Sequence, residues 1–170
     1  MSSQDEQRPP TELELGAYFA LIEVSSLLRH TIEQQLQEVG GLSYVQFQLL
    51  ATLGDAPTGT RRMTELADGV VYSRSGLTYQ VGLLEKAGLV ARSPAVDDER
   101  GVDVTVTDAG RDVLAAVFPG HIAVLRELFL DPIDSDAIAG LGATLTVIRD
   151  HMRRIPPRSA RPRNGRHQTS

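Results

Sequence analysis

Apolar residues recur along this chain with two different periods, and the change of period marks out its plan. From Glu12 to Val39, the positions Leu15, Tyr18, Ile22, Ser25, Leu28, Ile32 and Leu36 stand three or four apart, which predicts one long helix. Gly40-Gly41 breaks it. Ser43 then supplies a cap for a second helix bearing Phe47, Leu50 and Leu53. The segment Gly54–Thr60 reads as a loop. Its Gly-x-x-x-x-Gly spacing is followed by Thr60 and Arg61 where a phosphate-binding loop needs Lys and Ser or Thr, and no strand precedes it. Leu66 and Ala67 give the apolar face of a short helix, and the small Ala lets another helix cross closely. That next helix has Ser73 as its cap, Leu77, Val81 and Leu84 at i, i+4 and i+7, and Gly88 as its stop. The period then falls to two. Leu89–Ser93 is extended, and Val102, Val104 and Val106 alternate with Asp103, Thr105 and Thr107, with Pro94–Gly101 as the turn between the strands. Helical spacing resumes after Thr107 through Leu114, Val117, Ile122, Leu125 and Phe129, and Pro119 inside it predicts a kink or a split. Asp131-Pro132 ends that segment. Asp134 or Ser135 opens a last helix with Ile138, Leu141, Leu145, Ile148 and Met152, a narrow seam of the kind two chains form by packing their terminal helices together.

A short helix, a turn, a second helix and two strands, in that order, make a winged helix-turn-helix, which places one helix in the major groove of DNA. The fold class expected is therefore mainly α with a small β-wing, a winged helix-turn-helix domain plus terminal dimerisation helices. On the second helix, the face opposite Leu77, Val81 and Leu84 begins with Arg74, Ser75, Thr78 and Tyr79, flanked by Ser73 and Gln80. These are the candidates for DNA contact, against the alternative of an ordinary solvated helix face. Gly76 and Gly82 interrupt the same helix at about 1 kcal/mol each relative to Ala. A close approach by DNA or by another helix would account for them, as would drift.

Three runs carry a family resemblance: Leu84-Glu-Lys-Ala-Gly-Leu-Val-Ala-Arg92, Asp98-Glu-Arg100-Gly, and Val104-Thr-Val-Thr107-Asp-Ala-Gly110. They resemble the MarR family of bacterial transcription regulators, most strongly over Met63–Leu114 and by helix order over about Leu13–Met152. The resemblance implies that Arg100 enters the minor groove with Asp98 buttressing it, and that Arg92 belongs to the same wing set. A guanidinium suits the concentrated negative potential of a narrow minor groove. Arg61, Arg62 and Thr64, with Arg92, are then either DNA backbone contacts or solvated surface. Tyr79 stands where the family usually has Arg, Gly82 and Leu83 replace a charged pair, and Glu99 replaces the commoner Arg, so the family's base-reading code does not carry over. The resemblance further implies a homodimer on a palindromic double-stranded DNA operator, acting as a repressor released by a small aromatic or anionic ligand. Such a ligand would sit in a cleft between the dimer helices and the DNA-binding lobe, for which Tyr18, His30, Tyr44, Phe47 and His121 are the lining candidates. Two alternatives stay open: a winged-helix module used for protein contacts, and a DNA-binding protein without an effector response.

Charge complicates this picture. The net charge is −5, yet residues 151–170 hold six Arg and no acid, which leaves 11 basic and 22 acidic residues in 1–150. Phosphate affinity must then come from a few well-placed arginines, and long-range steering should be modest. The chain of 170 residues, 41% hydrophobic, suffices for one domain with a real core. Residues 1–11 are expected to be a disordered segment and 12–153 the folded domain, with 12–39 and 131–153 as dimerisation helices and 62–107 as the DNA-binding lobe; 154–170 is expected to be a basic disordered tail. No run of 18 apolar residues predicts a membrane span, and the acidic, polar start is neither a signal nor a transit peptide, so a cytoplasmic protein is expected. The absence of cysteine excludes disulfides, thiolate metal sites and cysteine redox sensing. No paired His spacing argues for a metal, and no nucleophile elbow, dinucleotide fingerprint or working phosphate loop argues for an enzyme or a cofactor.

Overall fold

Helix α1 (Glu12–Gly40) starts at Thr11, whose hydroxyl accepts from the Glu14 N–H while the Glu14 carboxylate accepts from the Thr11 N–H at 2.7 Å. This reciprocal capping box satisfies two amides that a helix start leaves free. Ser43 and Gln46 repeat the device at the start of α2 (Tyr44–Gly54), at 3.3 and 2.9 Å. The computed structural model describes residues 8–69, 74–95 and 98–154, with side chains over 8–67, 75–95 and 101–154. Ser73, the segment 1–7, the wing residues 96–97 and the basic tail 155–170 thus lie outside the described residues.

After α2 come strand β1 (Thr60–Arg62), α3 (Met63–Gly69), α4 (Arg74–Lys86), β2 (Val90–Ala95), β3 (Asp98–Val106) and α5 (Asp108–Leu125). The strands form one antiparallel sheet in the order β1-β3-β2. Ile32 and Leu36 of α1, Leu49, Leu50 and Leu53 of α2, Leu66 of α3, Leu77, Val81 and Leu84 of α4, Val90, Val104 and Val106 of the sheet and Val117 of α5 make one buried cluster. Each fully buried Leu or Val contributes about 1.5–3 kcal/mol over its exposed state. The sequence face assigned to α1 is buried only in its second half. Leu15, Tyr18 and Ile22 are exposed within the single chain.

Three features differ from the sequence expectation. Thr60–Arg62, expected to start as loop, pairs with Thr105, Val104 and Asp103 as a third strand. Three residues are too few to show a period, and only the pairing reveals them. The wing strands also reach beyond Ser93, with Pro94 opposite Val102 and Ala95 opposite Asp98 across a bulge. Pro94 is tolerated because β2 is an edge strand with no neighbour requiring its missing N–H. Finally, α5 runs unbroken through Pro119, and its irregularity comes later as a π-helical turn, Arg126–Leu130. Pro119 and Ala115 both lie on the exposed side of α5, where water can serve the Ala115 carbonyl that loses its amide partner.

By length and mean hydropathy, 1.7, Asp108–Leu130 would pass as a membrane span. Only 6% of that window is buried in the chain, but the segment does pack on the core: Val117 is buried, Val113, Leu114 and Val124 rest against the cluster, and the Gln35 amide of α1 donates to the Val117 carbonyl at 3.1 Å. Among the described residues, Leu130–Arg154 belong to a separate compact unit. Its helix α6 (Ser135–Arg154) is opened by Asp134, whose carboxylate accepts from the Ala137 N–H at 2.8 Å.

Candidate nucleic-acid interface

The helix α4 is held from three directions. Leu77, Val81 and Leu84 are each about 1% exposed and anchor its inner face. Its end is closed by Gly88 at φ +75, with the Gly88 N–H donating to Glu85 at 2.9 Å and the Leu89 N–H donating to Leu84 at 2.9 Å. That paired closure needs a left-handed residue, which glycine supplies without strain. Thr107 completes the junction: its hydroxyl donates to the Gly88 carbonyl at 2.7 Å and accepts from the Gly110 N–H at 3.1 Å, so one side chain ties the end of α4 to the start of α5. Gly110 of the same motif lies so close to the Leu89 carbonyl that any Cβ there would collide with it.

With its inner face fixed, α4 turns Ser75, Thr78 and Tyr79 outward, and Tyr79 is 64% exposed. Gly82 lies along the same outer face, and among the described residues nothing beyond its own stretch of helix backbone comes within 4 Å of where its Cβ would be. Gln80 sits differently. It is half-buried beside the inner face, and its Oε1 is enclosed without a hydrogen-bond partner among the described residues. Arg74 opens α4 and Asp98 and Arg100 lie on β3, but their side chains are outside those described, as is all of Ser73.

The sheet register sorts the other arginines. Arg61 and Arg92 both stand opposite Val104, the buried centre of β3, and so share its face. Arg92 makes a forked contact with Glu85 at the end of α4: Nε donates to Oε2 at 2.9 Å, and Nη2 reaches the same oxygen. This hydrogen bonding holds the Glu85 carboxyl below its ordinary pKa and raises that of Arg92. Arg92 therefore braces α4 against the wing strand, a role the sequence did not disclose, although Glu85 and Arg92 both stood in its family motif. Arg61 keeps an enclosed Nε that has no hydrogen-bond partner among the described residues. Arg62 lies on the other face of the sheet, 3.8 Å from the Asp103 carboxylate. Thr64 is exposed on the first turn of α3.

Of the five ligand-lining candidates, Phe47 and His121 are brought into contact, and Tyr18, His30 and Tyr44 have other neighbours. Phe47 is a core residue at 6% exposure, with its ring 4.7 Å from that of His121. Burial lowers the His121 pKa, and its Nδ1 is enclosed without a partner. Tyr44 carries the Arg29 guanidinium over its ring at 5.3 Å. Tyr18 meets Phe19 edge-on at the exposed end of α1, and His30 lines a polar groove with Glu33, Gln37 and Ser43. The larger concavity, about 530 Å³, lies between α2 and α5 and is bounded by Ala51, Asp55, Arg111, Leu114, Ala115 and Phe118. Four of those stand at i, i+3, i+4 and i+7 on α5, a spacing visible in the sequence, where of the four only Leu114 takes a role, on the apolar face.

A buried-faced helix presenting a short polar stripe, packed beside a two-stranded wing, defines the class as a winged helix-turn-helix protein. A family model described as MarR family matches residues 40–101. Sco3205, a MarR family transcriptional regulator from Streptomyces coelicolor solved in complex with DNA, superposes with a TM-score of 0.84 at 32% identity, covering 92% of this chain and 96% of that one. The transcriptional activatory protein BadR of Rhodopseudomonas palustris is 31% identical over 85% of this chain and 82% of its own length. The transcriptional repressor YetL of Bacillus subtilis is 28% identical over 72% of each chain. The chain belongs to the MarR family of transcriptional regulators.

Proposed function

We propose that this protein is a homodimeric, sequence-specific DNA-binding regulator that inserts α4 of each subunit into successive major grooves and sets each wing against the flanking minor groove. The observation that carries the proposal is the outer face of α4. Ser75, Thr78 and Tyr79 project from a helix whose orientation is fixed by three buried side chains, the Gly88 closure and the Arg92 brace. Polar side chains on the early turns of such a helix read base edges. The relation to a regulator solved on DNA supports the same reading.

The dimer accounts for the apolar surface that the single chain leaves open. Leu13, Phe19 and Leu27 of α1 are 83, 61 and 63% exposed, and on α6 Val147 and Met152 are 71 and 64% exposed. A second copy would cover these helices. Regulation is by occupancy: the dimer represses by occluding its operator, and a small aromatic or anionic ligand favours a dimer whose helices no longer match the half-site spacing. The groove between α2 and α5 suits such a ligand, since Phe118 and Leu114 offer apolar contact and Arg111 offers a charge for an anion.

The test is selection of binding sequences by the wild-type chain and by Ser75→Ala and Thr78→Ala. Each substitution should relax preference at one base position, at about 1–3 kcal/mol of discrimination, and leave binding to random DNA unchanged. Arg100→Ala in the wing should weaken operator binding by about 1–3 kcal/mol. Uniform weakening by the α4 substitutions on all sequences would show that α4 contacts only phosphate.

A further inference from the structure

The groove between α2 and α5 is bordered by two opposite charges. Asp55 closes α2, where its N–H donates to the Ala51 carbonyl at 2.9 Å, and Arg111 stands in the first turn of α5, where its N–H donates to the Thr107 carbonyl at 3.0 Å. Among the described residues neither side chain makes an ion pair, with the other or with any third group. Two glycines shape the site. Gly59 has φ +68, and a Cβ there would collide with the Arg111 guanidinium, which therefore rests directly on that turn. A Cβ at Gly54 would stand 3.0 Å from Leu114 Cδ1, so the glycine leaves the groove open beside that side chain. Past the charges the lining turns apolar, with Leu114, Phe118 and Pro119 following along α5 and Phe118 51% exposed. Phe118 is seven residues beyond Arg111, about 10 Å along the helix axis, so the charged end and the apolar end are distinct.

We propose that this groove binds a zwitterion with an aromatic body, of the size and chemistry of an aromatic amino acid. Arg111 takes its carboxylate, Asp55 its ammonium, and Leu114 and Phe118 its ring. The proposal rests on the effector reading above and narrows it to one ligand class. Charge complementarity carries the choice. A simple anion drawn to Arg111 also meets the Asp55 carboxylate, and a simple cation drawn to Asp55 also meets the guanidinium. A ligand bearing both charges matches both and is favoured over either. The guanidinium fork pairs with a carboxylate through two parallel N–H donors, and the exposed Phe118 ring offers an aromatic surface for stacking. The volume, about 530 Å³, falls in the ordinary range for small-molecule sites. The position suits regulation, because the Thr107 that anchors the Arg111 turn also holds the Gly88 carbonyl at the end of α4, at 2.7 Å.

The test is isothermal titration calorimetry of the full-length chain, without DNA, with three probes that share a phenyl ring. They are phenylalanine, hydrocinnamate, which lacks the ammonium, and phenethylamine, which lacks the carboxylate. The wild type should bind phenylalanine roughly fivefold more tightly than either of the others, the scale of one exposed charge pair. Asp55→Asn should remove the advantage over hydrocinnamate and Arg111→Gln the advantage over phenethylamine, with the melting temperature of each variant unchanged. Hydrocinnamate bound as tightly as phenylalanine would overturn the zwitterion and leave a plain aromatic anion. No binding of any probe, or a preference for phenylalanine that survives both substitutions, would overturn the assignment to this groove. Fluorescence anisotropy on a duplex from upstream of the gene then separates the two readings. Phenylalanine that binds in the expected pattern without changing DNA affinity would support the site and defeat its role as an effector site.

Discussion

Gly110 and Gly82 show how differently one residue type can be used in this lobe. At Gly110 the backbone of α5 touches the Leu89 carbonyl, so a methyl group must displace the junction that Thr107 holds together. Gly110→Ala should destabilise the protein by about 1–3 kcal/mol, measurable by urea denaturation, as expected for overpacking a tight contact. At Gly82 there is open space on the outer face of α4. Gly82→Ala should stabilise by about 0.5–1 kcal/mol through helix propensity. If that variant also binds operator more weakly, the glycine serves close approach to DNA; unchanged binding would assign it to drift. Both glycines were visible in the sequence, but only one of the reasons was. The Val-Thr-Asp-Ala-Gly run marked Gly110 as part of a motif, and the carbonyl 21 positions earlier in the chain that demands it appears only on folding. The Arg92–Glu85 brace is a similar case, since a charge pair seven residues apart across a helix stop has no sequence signature.

Elements were easier to read than their limits. The caps at Ser43 and Thr107, the break at Gly40-Gly41 and the stop at Gly88 all follow from local chemistry, and local chemistry is written in the sequence. Strand β1 and the outer wing pairs depend on partners more than 35 residues away or on an edge position, so periodicity could not supply them. Pro119 does not split α5, because its effect depends on which side of the helix it faces. One consequence belongs to the packing of α2 with α5. His121 lies against Phe47, and burial holds its pKa below the ordinary value of 6.5. Between the lowered folded value and the unfolded one, the unfolded chain binds the extra proton, so stability is full above about pH 6.5 and declines as pH falls through that window. The melting temperature of the wild type should therefore drop between pH 7 and pH 5 more than that of His121→Phe. Parallel profiles for the two proteins would show that the imidazole is solvated in the folded state.

At the scale of the whole molecule, the division of charge and the exposed apolar helices belong to one design. An acidic body would limit indiscriminate attraction to nucleic acid, so the proposed recognition would depend on geometry at α4 and the wing. A single chain leaves apolar residues open on α1 in its first half and on α6 in its last turns, and the proposed dimer would cover them. The seam of α6 was readable as a repeat of apolar positions, while the exposure of Leu13, Phe19 and Leu27 became evident only when the core closed without them. The central claim is that paired α4 helices read a palindrome. It is tested most directly by fluorescence anisotropy of the wild-type protein on a duplex from upstream of its own gene and on a scrambled duplex of equal length. The account predicts saturation at two chains per upstream duplex, with half-sites about 10 bp apart, and an affinity at least about a thousandfold above that for the scrambled duplex. Equal affinity for both duplexes, or saturation by a single chain, would contradict it.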